Sequence, residues 1–183
     1  MMEYQQLQSV FHHASALLTY PHSDWWEELG TYQESINSLT NERIKNLFQA
    51  FMDDCQKTDQ QELMERYVYT FDFGKQTNLY VTYGNSGERR ERGLELLALK
   101  NIYKRAGFNV TDIELPDYLP LILEFASVAD WEFVEEIITK YADAFNELEQ
   151  KLIKQQSSYR YLLIAVNESL ALYQKDLPVE RGV

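Results

Sequence analysis

Few residues of this 183-residue chain have chemistry to offer, and their spacing decides what they can do. His12 and His13 are adjacent. On a helix their side chains diverge by about 100°, so they cannot share an ion as residues at i and i+4 would. His22 stands alone between Pro21 and Ser23. Cys55 is the only cysteine, which rules out an internal disulfide or a CxxC metal or redox pair. The acidic pairs Asp53-Asp54 and Glu135-Glu136 are neighbours in sequence and read as surface charge. Glu62 and Glu65 have helix-mate spacing but no ExxH partner, so a di-iron site is not supported. No HExxH, P-loop, GxSxG or GxGxxG occurs. A small helical hydrolase working through carboxylates would need convergent acids in a cleft. That reading is kept as the weaker alternative, and the chain is not expected to be an enzyme.

Two segments carry more than a structural role requires. The first is Tyr67–Gly93, YVYTFDFGKQTNLYVTYGNSGERRERG. It is dense in aromatics, and Arg89, Arg90 and Arg92 stand where a helix should begin, a placement that opposes the helix dipole. Glu88 and Glu91 can neutralise them; otherwise the arginines answer to a partner. The second is Glu114–Phe125, ELPDYLPLILEF. It pairs prolines and acids with an apolar continuation. A proline-started core helix accounts for Leu119 and Ile122. It accounts less well for Glu114, Asp117 and Glu124, since acids are seldom buried without a partner.

Charge narrows the classes of partner. The formal net charge is −12, which argues strongly against a nucleic-acid partner, since binding a phosphate backbone needs an extended basic surface. Residues 112–149 hold eleven acids against the single base Lys140, whereas residues 88–105 hold six bases against three acids. The acidic stretch reads either as a solvated face or as a surface that attracts a basic peptide. No stretch approaches the length of a membrane span, and no secretory signal opens the chain. The expected compartment is the cytoplasm.

The elements that must position these residues are helical almost throughout. Tyr4, Leu7, Phe11, Ala14 and Leu18 recur at helical spacing, and Pro21 ends that helix. Asp24 with Glu27 is expected to open the next. Thr40 should cap a third, with Ile44, Leu47, Phe48, Phe51, Met52 and Cys55 on one face. Thr58 with Gln61 should box a fourth. Leu79–Tyr83 (LYVTY) has strand composition but no evident partner, so an extended loop or turn is expected. A helix from about Glu88 to Ala106 carries Leu94, Leu97, Ile102 and Tyr103 and ends at Gly107. Residues 107–118 form a hinge-like linker. Pro116 fits the start of the next helix, Asp130 caps another, and Ser157 or Ser158 opens the last. The tail 178–183 looks frayed. The expectation is an all-α, single-domain helical bundle over residues 1–183.

The motifs resemble those of the NarJ family, the cofactor-assembly chaperones of respiratory molybdenum nitrate reductases, which are relatives of TorD and DmsD. Leu17–Trp25 (LLTYPHSDW) resembles the family's N-terminal LLxYP segment. Tyr67–Lys75 (YVYTFDFGK) and GERRERG resemble its central block, ELPDYLPLILEF its most recognisable stretch, and Ser158–Leu163 (SYRYLL) its last helix. Many relatives have His where this chain has Tyr118, so no role for an imidazole there is carried over. The resemblance implies a TorD-like all-helical bundle. It implies a chaperone that binds the apo catalytic (alpha) subunit of nitrate reductase, including its basic, amphipathic N-terminal peptide. The client would be held while molybdenum cofactor and an iron–sulfur cluster are installed, before membrane docking. A chaperone for another molybdoenzyme of the same superfamily is the alternative, and a structural subunit of the enzyme a third reading.

An amphipathic basic helix lies naturally in an apolar groove with an acidic rim. Tyr80, Tyr83, Leu115, Tyr118, Leu119, Ile122 and Phe125 are the expected groove residues, and Glu114, Asp117 and Glu124 the expected rim. Arg89, Arg90 and Arg92, after the Gly84–Gly87 turn, are expected to make a second contact, with the client or transiently with the phosphate of molybdopterin. No metal site and no stably bound cofactor are expected.

Overall fold

The computed structural model describes residues 2–74, 76–83, 89–109, 111 and 113–177, with the backbone alone for Arg89 and Arg90. The expected tail at 178–183 and the turn at 84–87 lie outside the described residues. Eight α-helices are present among those described: α1 (Tyr4–Leu17), α2 (Ser23–Ile36), α3 (Glu42–Lys57), α4 (Gln60–Tyr67), α5 (Arg89–Arg105), α6 (Leu119–Ala126), α7 (Trp131–Lys154) and α8 (Arg160–Asp176). A single π turn, Val68–Asp72, continues α4. Among the described residues, no helix is long and apolar enough to cross a membrane.

Helix α1 is the central strut. It buries Leu7, Val10, Phe11, His13, Ala14, Ser15 and Leu17, an arc far wider than one stripe. Its neighbours are α6, α8 and α2, while α3 and α7 pack on α8. Side-chain hydrogen bonds to distant carbonyls fix the arrangement: Tyr4 donates to Ala129 at 2.7 Å and Ser15 to Pro120 at 2.7 Å.

The helix ends follow elementary capping chemistry, with local shifts from expectation. Asn41, not Thr40, caps α3; its Oδ1 accepts from the N–H groups of Arg43 and Ile44. Asp59, not Thr58, caps α4, because the Thr58 hydroxyl donates back to Asp54. Helix α2 starts at Ser23, with Asp24 in its first turn and no side-chain cap. Helix α6 starts at Leu119 with Pro120 in its first turn, so Pro116 lies before it. Asp130 occupies the cap position of α7 without a side-chain bond. Helix α8 begins at Arg160 rather than at Ser157 or Ser158.

Two helices close in the same way. Gly107 has φ +86, and Phe108 N–H donates to Tyr103 O while Gly107 N–H donates to Lys104 O. After α7, Gln156 has φ 55, with Ser157 N–H on Leu152 O and Gln156 N–H on Ile153 O. Both are Schellman closures.

Leu79–Tyr83 does have a partner, contrary to expectation. Tyr80 forms an antiparallel bridge with Tyr118. Leu119 N–H donates to Leu79 O at 2.7 Å, and Val81 N–H to Asp117 O at 3.0 Å. The segment is a strap laid across the entry to α6. Where it begins, Gly74 is required by space: an added Cβ would collide with the Thr70 carbonyl and the Thr77 hydroxyl, which are themselves hydrogen-bonded.

His13 is buried, its Nδ1 on the Ser9 carbonyl and its Nε2 2.9 Å from Ser35 Oγ. Burial holds the imidazole neutral and, with the nearby His12, lowers its pKa from 6.5 to about 4 against the Ser9 bond. The unfolded chain therefore takes up this proton before the folded one does. Stability tied to neutral His13 is intact above pH 6.5 and declines as pH falls toward 4, by about 3 kcal/mol at most. Denaturant titrations across that window should show a smaller decline for His13→Gln than for the wild type; equal slopes would remove His13 from the account.

Candidate functional site

The aromatic segment begins a chain of tyrosines that leads to the strap. Tyr67 is buried at the end of α4, and its hydroxyl donates to Leu18 O at 3.1 Å. A carbonyl only accepts, so the 3.2 Å contact with Tyr118 places the Tyr118 hydroxyl as donor to Tyr67. Burial, first of all, raises both phenols above the ordinary range. The Tyr118 ring lies 5.5 Å from Tyr80, and Tyr80 donates to Glu114 Oε1 at 2.9 Å. The same carboxylate oxygen accepts from Leu115 N–H at 2.8 Å. Tyr83 and Leu115 are exposed. Five expected site residues (Tyr80, Tyr83, Leu115, Tyr118 and Glu114) thus sit on or beside the strap. Tyr80 and Tyr83 line a cavity of about 230 Å³ with Leu148, Glu147 and Lys151 of α7.

Phe125 and Glu124 belong to a different opening. They line a cavity of about 400 Å³ with Tyr103, Phe108, Leu121 and Val128. Phe125 packs edge-on against Tyr103 and Phe108, at 4.7 and 5.4 Å between ring centroids. Phe108, Ile113 and Leu115 along the linker, and Val128 beyond α6, are exposed. Glu124 is exposed and so can serve as a rim residue.

Three expected site residues lie elsewhere. Leu119 and Ile122 have no exposed surface and are core. Helix α6 is apolar nearly all round, and such a helix is driven inside. Asp117 was expected on an acidic rim, yet its exposure is 0%. Its Oδ2 accepts from the Thr82 hydroxyl at 2.6 Å and from Arg92 Nη2 at 3.2 Å. Arg92 also reaches Thr82 through Nε and lies over the rings of Tyr80 and Tyr83 at 6.0 and 5.6 Å. Arg92 is therefore an internal counter-ion rather than a free cation. The side chains of Arg89 and Arg90 lie outside the description.

Sequence reasoning missed a further surface. Tyr20, Met64, Val68, Tyr69 and Phe73 line a cavity of about 680 Å³, edged by Glu62 and Glu65. Its signal was the aromatic alternation Tyr67, Tyr69, Phe71, Phe73. Among the described residues no group of His, Cys, Asp and Glu could hold a metal ion. Cys55 is buried, and burial pushes its thiol up to about 12, which leaves it without thiolate character.

Removing one member of a buried ion pair strands the other. Arg92→Gln or Asp117→Asn should each lower unfolding free energy by about 3 kcal/mol. The double variant should lose less than the two losses added, as urea denaturation would measure. Strict additivity would show that the pair is not the pin of the strap.

Residues 33–165 match the family described as nitrate reductase delta subunit. The chain is 47% identical to the probable nitrate reductase molybdenum cofactor assembly chaperone NarJ of Bacillus subtilis (strain 168), over 85% of each protein. It is 28% identical to the nitrate reductase molybdenum cofactor assembly chaperone NarJ of Escherichia coli (strain K12), over 81% of this chain and 64% of that one. The crystal structure of a putative redox enzyme maturation protein from Archaeoglobus fulgidus superposes with a TM-score of 0.65 over 93% of this chain and 96% of that one. At 20% identity, that likeness speaks for the all-helical fold alone. With more than two thirds of its length inside the matched region, the chain belongs to the nitrate reductase delta subunit family, whose relatives named here are assembly chaperones rather than catalysts.

Proposed function

We propose that this chain is a chaperone for the apo catalytic subunit of a respiratory nitrate reductase. It binds that subunit through a basic, amphipathic N-terminal segment and holds it while molybdenum cofactor and an iron–sulfur cluster are inserted. The observation that carries this reading is the 47% identity to NarJ across 85% of both chains. The net charge of −12 supports it, because a basic client is drawn to such a surface.

The segment's apolar face would seat against Phe125 and its cavity, continuing along the exposed Ile113 and Leu115 toward Tyr80 and Tyr83. Glu114 and Glu124 would flank it, and Tyr118 would hold the strap from beneath. Three or four buried anchors would contribute about 1.5–3 kcal/mol each, against a cost of about 2–5 kcal/mol for ordering the segment. Rim ion pairs add only about 0–1 kcal/mol apiece. Anchors therefore set affinity, and the acids set encounter and orientation. Leu119, Ile122 and Asp117 support this surface from within. Molybdenum cofactor is cargo delivered to the client, and Arg89 and Arg90 are the residues proposed for any transient contact with its phosphate.

Calorimetry with the client's N-terminal peptide should give a Kd that weakens as salt rises. The variant Glu114→Lys/Glu124→Lys should weaken binding by up to about tenfold and flatten that salt dependence. An unchanged profile would remove the rim, and no binding by the wild type would remove the reading.

A further inference from the structure

Three buried polar atoms where α5, α7 and the entry to α6 meet have no hydrogen-bond partner among the described residues: Glu95 Oε2, the Tyr141 hydroxyl and Asp117 Oδ1. Buried polar atoms are seldom left in that state. The two carboxylates both bear on the Tyr141 hydroxyl: burial raises that phenol first, and the charges of Glu95 and Asp117 add to it. The three atoms belong to one polar nest, and Arg92 reaches into it.

Glu95 has one cation within helical reach. Its neighbours at i−4, i−3, i+3 and i+4 are Glu91, Arg92, Ala98 and Leu99, and side chains so spaced meet on a helix surface. Arg92 engages its guanidinium elsewhere, with Nη2 on Asp117 Oδ2 at 3.2 Å and Nε on Thr82 at 3.1 Å. The arginine thus stands between two carboxylates and is bonded to one of them. A cation placed N-terminal to its acid is the weaker order on a helix, which suits Glu95 as the lesser partner. Moving Arg92 from Asp117 to Glu95 would give Glu95 Oε2 a donor. The Tyr141 hydroxyl is then the donor at hand for the Asp117 left behind. The same move takes the guanidinium away from Thr82 and from the rings of Tyr80 and Tyr83. The strap would keep its backbone bonds to Asp117 and Leu119 and the Thr82–Asp117 bond, without the arginine that clamps them.

We infer that Arg92 is a two-position latch and that Glu95 is its second seat, a positioning residue that acts through Arg92 to let the strap lift from the entry to α6. The closed position is the favoured one, because it also buries Leu79 and Val81. Lifting turns the segment that carries Tyr80 and Tyr83 away from α6 and uncovers the apolar ground beneath Leu79. The latch is a property of the chain alone and does not depend on the client reading.

Two amides report on the strap: Val81 N–H, which donates to Asp117 O, and Leu119 N–H, which donates to Leu79 O. Their hydrogen exchange in the purified full-length chain measures how often the strap lifts. Glu95→Gln removes the charged second seat and keeps the shape of the side chain. Both amides should then exchange more slowly by about threefold or more, with the amides of α3 unchanged. A carboxylate can also loosen the strap by plain repulsion of Asp117, and two backgrounds separate the cases. A latch needs Arg92, so in Arg92→Gln the further change Glu95→Gln should leave strap exchange as it is. In Asp117→Asn the same change should still slow it. Repulsion predicts the reverse in each background, and either one decides if the other fails to fold. Exchange in Glu95→Gln that is unchanged or faster overturns the latch. So does slowing that persists without Arg92, or that vanishes without the Asp117 charge. No client peptide enters these measurements, so loss of the latch leaves the client reading standing.

Discussion

A carboxylate with no exposed surface organises the strap and the entry to α6, on which the proposed client surface is built. Asp117 must be paired, because an isolated buried carboxylate would be prohibitively costly. Its partners come from two elements well before it in sequence, Thr82 on the strap and Arg92 on α5. Its own carbonyl accepts from Val81 N–H, so the same residue holds the strap by backbone and side chain. Both side-chain bonds are accepted by Oδ2, and Oδ1 has no hydrogen-bond partner among the described residues. The strap is therefore fixed by a small number of strong polar contacts together with the burial of Leu79 and Val81 in the core. Tyr80, Tyr83, Glu114 and Leu115 inherit their positions from it.

A second constraint comes from aromatic spacing. Tyr67, Tyr69, Phe71 and Phe73 alternate with period 2, the pattern of a strand. The chain is helical there, and on a helix residues at i and i+4 share a face. Tyr67 and Phe71 therefore point inward together, packed against Tyr159 at 5.8 and 4.9 Å. Tyr69 and Phe73 are then obliged to point outward together. A strand-like pattern wound onto a helix cannot bury all its aromatics. The exposed pair is a direct consequence of keeping the helix.

How far this was legible in the sequence depends on whether the deciding term was local. Gly107 announces its closure because its φ is one that glycine adopts freely. Gln156 makes the same closure with nothing in its identity to signal it, since the turn into α8 imposes the conformation. Thr40 and Asn41 are both capping residues, and only geometry separates them. Helix α6 was misjudged for a reason that was present in its sequence. LPLILEFA is apolar nearly all round, which argues for burial, and reading one stripe of it as a groove overlooked the rest. Asp117 was misplaced because its partner Arg92 lies 25 positions away, and a buried pair cannot be told from two surface charges without the fold. The family was legible throughout, because motifs in a fixed order survive small errors in placing each element.

The distribution of charge and apolar surface suits a partner that must be held and then released. Acids at an exposed rim act at a distance and bind weakly. Apolar anchors act only on contact and carry most of the free energy. A chain that kept its anchors buried would attract a basic client without retaining it. One that exposed anchors without the acids would collect any unfolded chain. Here the outward-facing aromatics stand among carboxylates, and two arginines beside them, Arg66 and Arg92, are bound to acids of their own. With those two arginines already engaged, exposed acids such as Glu65, Asp72 and Glu124 dominate the field that the proposed basic client would meet first.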